Sequence, residues 1–590
     1  MFNALQLAHS SRFLACFLLF GSLADALGAD LSHRKSQLQI AVRDVNGFPI
    51  RDAIVTIEMK KHAFKFGTQI RDQLVAITEQ EFQSMAVWQK RALMDPATAQ
   101  LGGPEYTPTW QDAENYRAAL WENFNHAIPT NGIQWVLYNS RGPEIVDRVV
   151  TTLQSRGMTV KGHALVWPRD EWPTPNAFRT NSGSVDASLF HSQLISERLS
   201  ELGVVGRFSD LGSGPTIVEW DVLNEPVNNN YYPQVFVAAD IYANEIQASA
   251  DFFKRARAVR PDAILCINEY NIMNSRSDNN TIKYRDFVND LLIAGAPIDR
   301  IGIQAHMGLA SVSKEDMSRR INLLAETGLE IEITEFDTRD DSNQLTPSQQ
   351  ARIFRDMLEV AFENSAVIGF SMWGFWDRGH WRANAPLFDS DWNIKAEAAP
   401  WFDLVRDQWM TQLTEQTVNI DGQWVAPEGV YKGIYDFSVQ ARGVTQNFTG
   451  YAVSNDSMVE LVLDNVLGTT SSTLDIDGNG EFQGSTDGLL VLRDMLGFRG
   501  AELIKGALAD DAQFLQSDVI RERIEKLGDM RDIDGNGQAD ALTDGLLIYR
   551  YLSGLRGNLL VRGAVASDAM RHTPEEISAH LRILTTAVDE

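Results

Sequence analysis

The chain has 590 residues, of which 44% are hydrophobic and 22% are charged, the composition of an ordinary folded protein. This length is more than one hydrophobic core supports, so we expect several domains. The formal net charge of −27 argues against nucleic acids and anionic membrane surfaces as partners, because both are bound by basic patches.

The first 29 residues have the pattern of a secretory signal peptide. Arg12 precedes an apolar run at 13–20, and small residues follow at 24–29. The run is too short for a membrane anchor, and no later stretch has the roughly 18 apolar residues that span a bilayer. We therefore expect a secreted chain without a membrane span. Cys266, the cysteine beyond this segment, is interpreted as a buried structural thiol.

Residues 30–61 predict an N-terminal β extension. Two segments rich in β-branched residues, 38–43 and 53–57, flank the turn-forming sequence 45–49. Such a pair is typical of a β-hairpin. We expect it to lead directly into the first strand of the next domain.

Residues 62–412 predict a (β/α)8 TIM barrel. Apolar, β-branched runs alternate with helical segments, and several runs are apolar on both faces, as parallel strands covered by helices should be. The eight runs lie at 64–70, 124–128, 159–167, 218–225, 263–270, 300–306, 330–337 and 367–375. Thr346 and Pro347 predict the start of the helix between the last two strands. In such barrels the active residues lie at the carboxyl ends of the strands.

Two of the predicted strands end in a glutamate. Glu225 closes the run that begins at Trp220, and Glu335 closes a second apolar run. Two carboxyl groups at one barrel mouth suit the cleavage of a glycosidic bond, because one protonates the leaving oxygen and the other attacks the sugar carbon. We therefore predict Glu225 and Glu335 as the catalytic residues.

Other predicted strand ends carry side chains that suit a sugar ligand. Aromatic faces stack on pyranose rings, and amides and imidazoles form hydrogen bonds with hydroxyl groups. These candidate substrate-binding residues are His163, Trp167, Asn224, Tyr270, Asn271, Gln304, His306, Trp373 and Trp381.

With these motifs in this order, the chain resembles glycoside hydrolase family 10 over roughly residues 62–410. The resemblance implies a retaining endo-1,4-β-xylanase that hydrolyses internal bonds of xylan by double displacement, without a cofactor for catalysis. Glu225 matches the family's acid/base and Glu335 its nucleophile. Asn224 matches the residue that holds the sugar 2-hydroxyl, and His306 matches the histidine that hydrogen-bonds to the nucleophile. Tyr270 and Asn271 match aglycone-side positions, and Asn131, His163, Trp167, Gln304, Trp373 and Trp381 match residues around the glycone.

The chain departs from the family pattern on the glycone side. Thr130 and Gln134 occupy positions where the family usually has a glutamate and a lysine that grip sugar hydroxyls. The family's Trp-His-Ser-Gln is here Trp-Pro-Arg-Asp, at 167–170. Two alternatives therefore stay open: a retaining glycosidase that acts on another β-1,4-glycan, and a non-catalytic glycan-binding barrel protein.

Beyond the barrel, residues 413–468 predict a small β unit, and residues 469–590 contain a repeat. The segment 474–480 returns 57 residues later as 531–537, and the match continues beyond it. Each copy has the Asp-x-Asp-x-Asn-Gly pattern of an EF-hand calcium loop, although the closing acid lies at position 13 rather than 12. The predicted Ca²⁺ ligands are Asp475, Asp477, Asn479 and Asp487 in the first copy, and Asp532, Asp534, Asn536 and Asp544 in the second.

The paired repeats resemble dockerin type I repeats. This resemblance implies a cohesin-like protein partner for the C-terminal module. A calcium-stabilised module without a receptor is the open alternative.

Overall fold

The computed structural model describes residues 30–585, except for gaps at 46, 48, 52, 95–105, 130–131, 209–215, 339–344, 382–386, 420 and 465–473. The predicted signal peptide and Asn131 therefore lie outside the described residues. Within the described ranges, no helix is long and apolar enough to cross a bilayer.

Eight parallel strands close into the barrel that the sequence predicts. In chain order they are β1 (Lys65–Ile70), β2 (His126–Pro129), β3 (Thr159–Val166), β4 (Glu219–Asn224), β5 (Ile264–Glu269), β6 (Arg300–Ile303), β7 (Glu330–Thr338) and β8 (Val367–Met372). Strand β1 pairs with both β2 and β8, and β7 pairs with both β6 and β8, so the sheet closes on itself. The fold is a (β/α)8 TIM barrel.

Helices cover the outside of this barrel. The helix Pro347–Glu363 starts as predicted, with a capping box in which Thr346 and Gln349 satisfy each other's backbone N–H groups. It buries Ile353 and Met357 against the strands, and each such side chain contributes about 1.5–3 kcal/mol to stability. The remaining helices around the barrel are Asp72–Ala76, Glu79–Ser84, Val87–Ala92, Trp110–Asn123, Trp135–Arg141, Pro143–Ser155, Ala187–Arg198, Val204–Arg207, Tyr231–Ala238, Glu245–Val259, Asn279–Ile293 and Lys314–Ala325.

The N-terminal extension and the segment after the barrel form one β unit of two larger sheets and a two-stranded sheet, Lys35–Ser36 with Val430–Tyr431. One larger sheet contains Gln412–Thr417, Ile54–His62, Gly433–Ala441 and Val444–Val453, and the other contains Gln423–Val425, Leu38–Asp44 and Ser457–Leu463. The predicted hairpin is therefore wrong, because its two strands belong to different sheets. Their alternating apolar side chains, such as Val42 and Ile57, face a shared core with Phe437.

The C-terminal repeats form a third unit with its own core. The equivalent residues Leu490 and Leu547 are both fully buried in it, as are Leu503 and Leu560. The helices are Leu489–Met495, Ala501–Ile504 and Ser517–Glu525 in the first copy, and Leu546–Leu552, Asn558–Val561 and Pro574–Leu584 in the second. The repeat in the sequence is thus a repeat in the structure.

Candidate active site

The two predicted catalytic glutamates lie at the carboxyl end of the barrel and are tied to neighbouring strands. The backbone N–H of Glu225 donates to the carbonyl of Asn268 at 2.7 Å, and that of Glu335 donates to the carbonyl of Gln304 at 3.1 Å. Glu225 has a φ of 57°, a left-handed conformation that is uncommon for residues other than glycine. The chain therefore turns sharply at this carboxyl group, as is frequent at functional sites.

The carboxyl group of Glu225 accepts three hydrogen bonds from neutral donors. Gln304 Nε2 lies 2.9 Å from Oε1, while Trp167 Nε1 at 2.9 Å and Asn229 Nδ2 at 3.1 Å donate to Oε2. Burial raises the pKa of Glu225, and the charge of Glu335 raises it further, against the lowering effect of the Gln304 hydrogen bond. A carboxyl group whose pKa is raised in this way can keep its proton until it acts as an acid.

The carboxyl group of Glu335 is only 4% exposed and is held from both sides. Asn268 Nδ2 donates to Oε1 at 2.7 Å, and His306 Nε2 lies 3.3 Å from Oε2. The Asn268 amide is itself fixed, because it also donates to Asn224 Oδ1 at 3.0 Å and accepts from Thr334 at 2.7 Å. Donors on both sides fix the position of the two carboxylate oxygens.

His306 lies between two carboxylates. Its Nδ1 is 3.0 Å from Asp337 Oδ2, opposite the contact with Glu335. Burial disfavours the charged imidazole, but the negative charges of Asp337 and Glu335 outweigh it and raise the pKa of His306 to about 10. The ring is therefore an imidazolium at neutral pH, with a proton on each nitrogen. Asp337 also accepts a hydrogen bond from Trp381 Nε1 at 2.8 Å, which orients that indole.

The other predicted residues line the same mouth or its rim. His163 is buried, its Nδ1 lies 2.8 Å from Asp221, and its ring centroid is 5.2 Å from that of Trp373. Asn224 is fully buried, and its Nδ2 has no hydrogen-bond partner among the described residues, so it can donate to a ligand. Tyr270 is half-buried and Asn271 is exposed at the outer edge.

Several residues at the site carried no role in the sequence analysis. Asn268 and Asn229 contact the two catalytic candidates directly, and Asp337 supports them through His306. A signal for Asp337 exists, because it lies two residues after Glu335 on β7 and so shares its face. Glu269 also had no role in the sequence analysis. It is buried, and its carboxyl group accepts a hydrogen bond from Val227 N at 2.8 Å, within the turn after Glu225.

A buried charged network lies beneath the mouth. Lys161 contacts Asp221 at 3.0 Å and Glu332 at 2.9 Å, and Arg300 contacts Glu219 at 2.7 Å. His126, Glu219 and Glu332 also bring ligand atoms within 4.8 Å of one another, a spacing that suits a metal ion. The basic side chains already compensate these carboxylates, so we interpret the cluster as structural.

The C-terminal loops bring aspartates together in the predicted way. Carboxylate oxygens of Asp475, Asp477 and Asp487 lie within 4.8 Å of one another, and those of Asp532, Asp534 and Asp544 do the same. Asn479 Oδ1 and Asn536 Oδ1, the remaining predicted ligands, accept backbone hydrogen bonds within their loops at 3.0 and 2.9 Å. Burial raises the pKa of Asp487 to about 6, and the charge of Asp477 adds to this effect.

A single π-type turn explains the unusual position of each closing acid. The N–H of Gly488 donates to the carbonyl of Gln483, and that of Gly545 to Asp540, both at 3.1 Å and both five residues apart. Such a turn accommodates one extra residue compared with an α-helix. Asp487 and Asp544, at position 13, therefore face the loop as an acid at position 12 would in an EF-hand.

A closed barrel whose mouth holds two differently supported carboxyl groups is the arrangement of a glycoside hydrolase. The sequence profile of Glycosyl hydrolase family 10 matches residues 94–402. The chain therefore belongs to glycosyl hydrolase family 10.

Relatives of known name include both enzymes and a regulator. Endo-1,4-beta-xylanase B of Thermotoga neapolitana is 26% identical over 328 residues, 52% of this chain and 86% of that protein. Anti-sigma-I factor RsgI6 of Acetivibrio thermocellus is 27% identical over 418 residues, 70% of this chain, but the chain spans only 45% of that protein. Among solved structures, xylanase 10B of Thermotoga petrophila in complex with xylobiose has a TM-score of 0.45 at 20% identity, covering 59% of this chain and 95% of that one.

Proposed function

We propose that this protein is a retaining endo-1,4-β-xylanase that cleaves internal bonds of xylan. The observation that carries the proposal is the contrast between the two carboxyl groups. Glu225 has neutral donors and a raised pKa, whereas Glu335 contacts an imidazolium and an amide. Family membership and a relative named as a xylanase support the choice of substrate.

In the proposed first step, a Glu335 oxygen attacks the anomeric carbon of the xylose unit before the cleaved bond. Glu225 gives its proton to the glycosidic oxygen, which leaves with the aglycone, and a covalent glycosyl-enzyme results. In the second step Glu225 takes a proton from water, whose oxygen displaces Glu335 from the anomeric carbon. Two displacements return the original anomeric configuration.

The remaining side chains have positioning roles in this scheme. Asn268 donates hydrogen bonds to both Asn224 and Glu335. It therefore links the nucleophile to Asn224, whose amide can donate to the substrate. His306 Nε2 lies 3.3 Å from Glu335 Oε2 and orients that oxygen. Trp373 and Trp381 are placed by their ring and hydrogen-bond contacts with His163 and Asp337, where they can stack on a sugar ring.

The test is product analysis on linear xylo-oligosaccharides and matched cello-oligosaccharides. We expect cleavage of internal xylosidic bonds, with the β-anomer formed first in proton NMR spectra. Preferential cleavage of the cello-oligosaccharides would favour the other β-1,4-glycan alternative. Formation of the α-anomer would contradict the double displacement, and an absence of turnover would favour the glycan-binding alternative.

We also propose that each C-terminal loop binds one Ca²⁺ ion, with the three aspartates and the asparagine of each copy as protein ligands. Hard oxygen donors on a turn with glycine at position 6 suit this ion. The same module is proposed to bind a cohesin-like partner, on resemblance alone. Calorimetry with a cohesin panel, with and without Ca²⁺, separates this from a calcium-stabilised module without a receptor.

Secretion is proposed from the pattern of residues 1–29. Expression of the full chain in a secreting host, followed by N-terminal sequencing of protein from the medium, tests it. Recovery of a chain that begins between about residues 27 and 30 supports the signal peptide, and retention of residue 1 in the cell fraction contradicts it.

A further inference from the structure

Arg169 lies beside the acid/base candidate, on the segment that follows β3. Its guanidinium carbon is 5.2 Å from the ring centroid of Trp167, whose indole N–H donates to Glu225 at 2.9 Å. The Arg169 side chain is 29% exposed, so a dissolved ligand can reach it. Its charge acts on both Glu225 and Tyr270, so Arg169 lies near the acid/base candidate and near a residue assigned to the aglycone side.

This arginine is only partly satisfied by the protein. Its ion-pair partner among the described residues is Glu171, whose side chain is 64% exposed. Arg169 Nε is buried and has no hydrogen-bond partner in the described part of the chain. The face of Trp167 holds the guanidinium in place through a cation–π contact. A guanidinium that is fixed in this way, with an exposed and displaceable partner, is prepared to exchange Glu171 for the carboxylate of a ligand.

The positive charge of Arg169 is unfavourable for Glu225 as a general acid, so we expect Arg169 to have a separate role. A cation beside a general acid favours the ionised form, which is the wrong form for protonating a leaving group. Arg169 indeed opposes the burial that raises the pKa of Glu225. An anionic ligand on Arg169 would remove this opposition.

We propose that Arg169 binds the carboxylate of a uronic acid substituent carried on the leaving-group side of a xylan chain. The inference rests on the proposed xylanase function and names the class of xylan it prefers. In a protein with a net charge of −27, an acidic polysaccharide is repelled over most of the surface, so a local cation decides whether it can bind. Binding neutralises Arg169, and Glu225 then stays protonated to higher pH on acidic xylan than on neutral xylan.

The test uses one polymer in two forms. Glucuronoxylan is compared with the same preparation after its carboxyl groups have been reduced to primary alcohols, so that the two substrates differ only in charge and one oxygen. We expect Arg169→Gln to lower kcat/KM about tenfold on the acidic form and less than about twofold on the reduced form. We also expect the alkaline limb of the kcat profile of the wild type to lie at higher pH on the acidic form, and this difference to vanish in the variant.

Two further variants sharpen the result. Glu171→Gln releases Arg169 from its partner and should raise kcat/KM on the acidic form alone. Arg352→Gln removes an exposed guanidinium on the helix Pro347–Glu363, where it pairs with Asp356, and should change neither substrate. An equal fall on both polymers in Arg169→Gln, or no fall on either, overturns the proposal. If the wild type cleaves neither polymer nor linear xylo-oligosaccharides, the proposed function itself is wrong.

Discussion

Carboxylates gather in the barrel and again in the C-terminal loops, but their charge is balanced in different ways. In the barrel, Glu219 and Glu332 are buried against Lys161 and Arg300, and Glu335 contacts a charged histidine. In the loops, three aspartates converge in each copy, and among the described residues none of the six forms an ion pair with lysine or arginine.

The loop carboxylates are held instead by backbone N–H groups. Asp487 accepts from Ile476 N at 2.6 Å, and Asp477 accepts from Ala509 N at 2.9 Å. Backbone N–H groups orient these oxygens, and Arg523, which donates to the Asp475 carbonyl at 2.7 Å, places a positive charge near the first cluster. The carboxylates of the barrel are thus paired with cations of the fold, whereas those of the loops are held by backbone N–H groups.

The largest expected effect follows removal of the predicted nucleophile. Glu335→Ala should lower kcat on xylan by more than about 10⁴-fold, because it removes the carboxylate that attacks the anomeric carbon, while the urea midpoint changes little. Glu330→Ala is the matched control, since Glu330 lies at the opposite end of β7 with an exposed side chain. Activity of Glu335→Ala within about tenfold of the wild type would contradict the assignment.

The activity lost on replacing the predicted acid/base should depend on whether the leaving group needs a proton. Glu225→Gln should lower kcat on xylan by about 10³-fold, with a much smaller loss in the first step on aryl β-xylobiosides whose leaving group needs no proton. The wild-type acid works while Glu225 is protonated, so activity on xylan is present below its raised pKa and falls as the pH rises through it. The variant should lack this alkaline limb, and an unchanged pH profile would identify a different acid.

The balance of charge inside the barrel is tested at Lys161. Replacing this fully buried cation by methionine removes the partner of Asp221 at 3.0 Å and that of Glu332 at 2.9 Å. We expect the free energy of unfolding in urea to fall by about 3–5 kcal/mol. Lys314→Met, which removes ion pairs with Glu359 and Glu363 near the surface, should cost less than about 1 kcal/mol. A similar fall in the free energy of unfolding for both variants would show that the buried charges of the barrel do not depend on Lys161.

The smallest expected effect concerns the calcium loops. Saturating Ca²⁺ should raise the stability of the C-terminal module, by about 2.7 kcal/mol at a concentration one hundred times the Kd, and chelation should reverse this without changing kcat on xylan. Because the pKa of Asp487 is raised to about 6, protons should compete with Ca²⁺ as the pH falls through that value, so the affinity of the first loop weakens there.

Variants separate this calcium effect from a general change in charge. Asp477→Ala and Asp534→Ala should each remove one binding event in calorimetry, whereas Asp518→Ala, in an exposed first turn outside the loops, should remove none. A flat titration of the wild-type protein would contradict the calcium proposal and would require another explanation for the convergent aspartates.

Much of the barrel and its chemistry is predictable from the sequence. The eight strands and the capped helix at Pro347 follow from local patterns. The structure places Glu225 directly after β4 but Glu335 inside β7, which continues to Thr338. The prediction of a hairpin at the N-terminus was wrong because local patterns do not choose the partner of a strand. Alternating apolar residues at 38–43 and 53–57 only require a partner strand and a core, and strands near residues 424 and 437 supply both.

The sequence by itself determined the order of the elements and the side chains at the strand ends, because residue alternation, caps and turns are properties of short segments. Only the tertiary structure decided which groups support the catalytic carboxyl groups. Asn268 reaches Glu335 across 67 residues, and Trp167 reaches Glu225 across 58. Such contacts depend on barrel closure and strand register, which place side chains from distant segments within hydrogen-bonding distance.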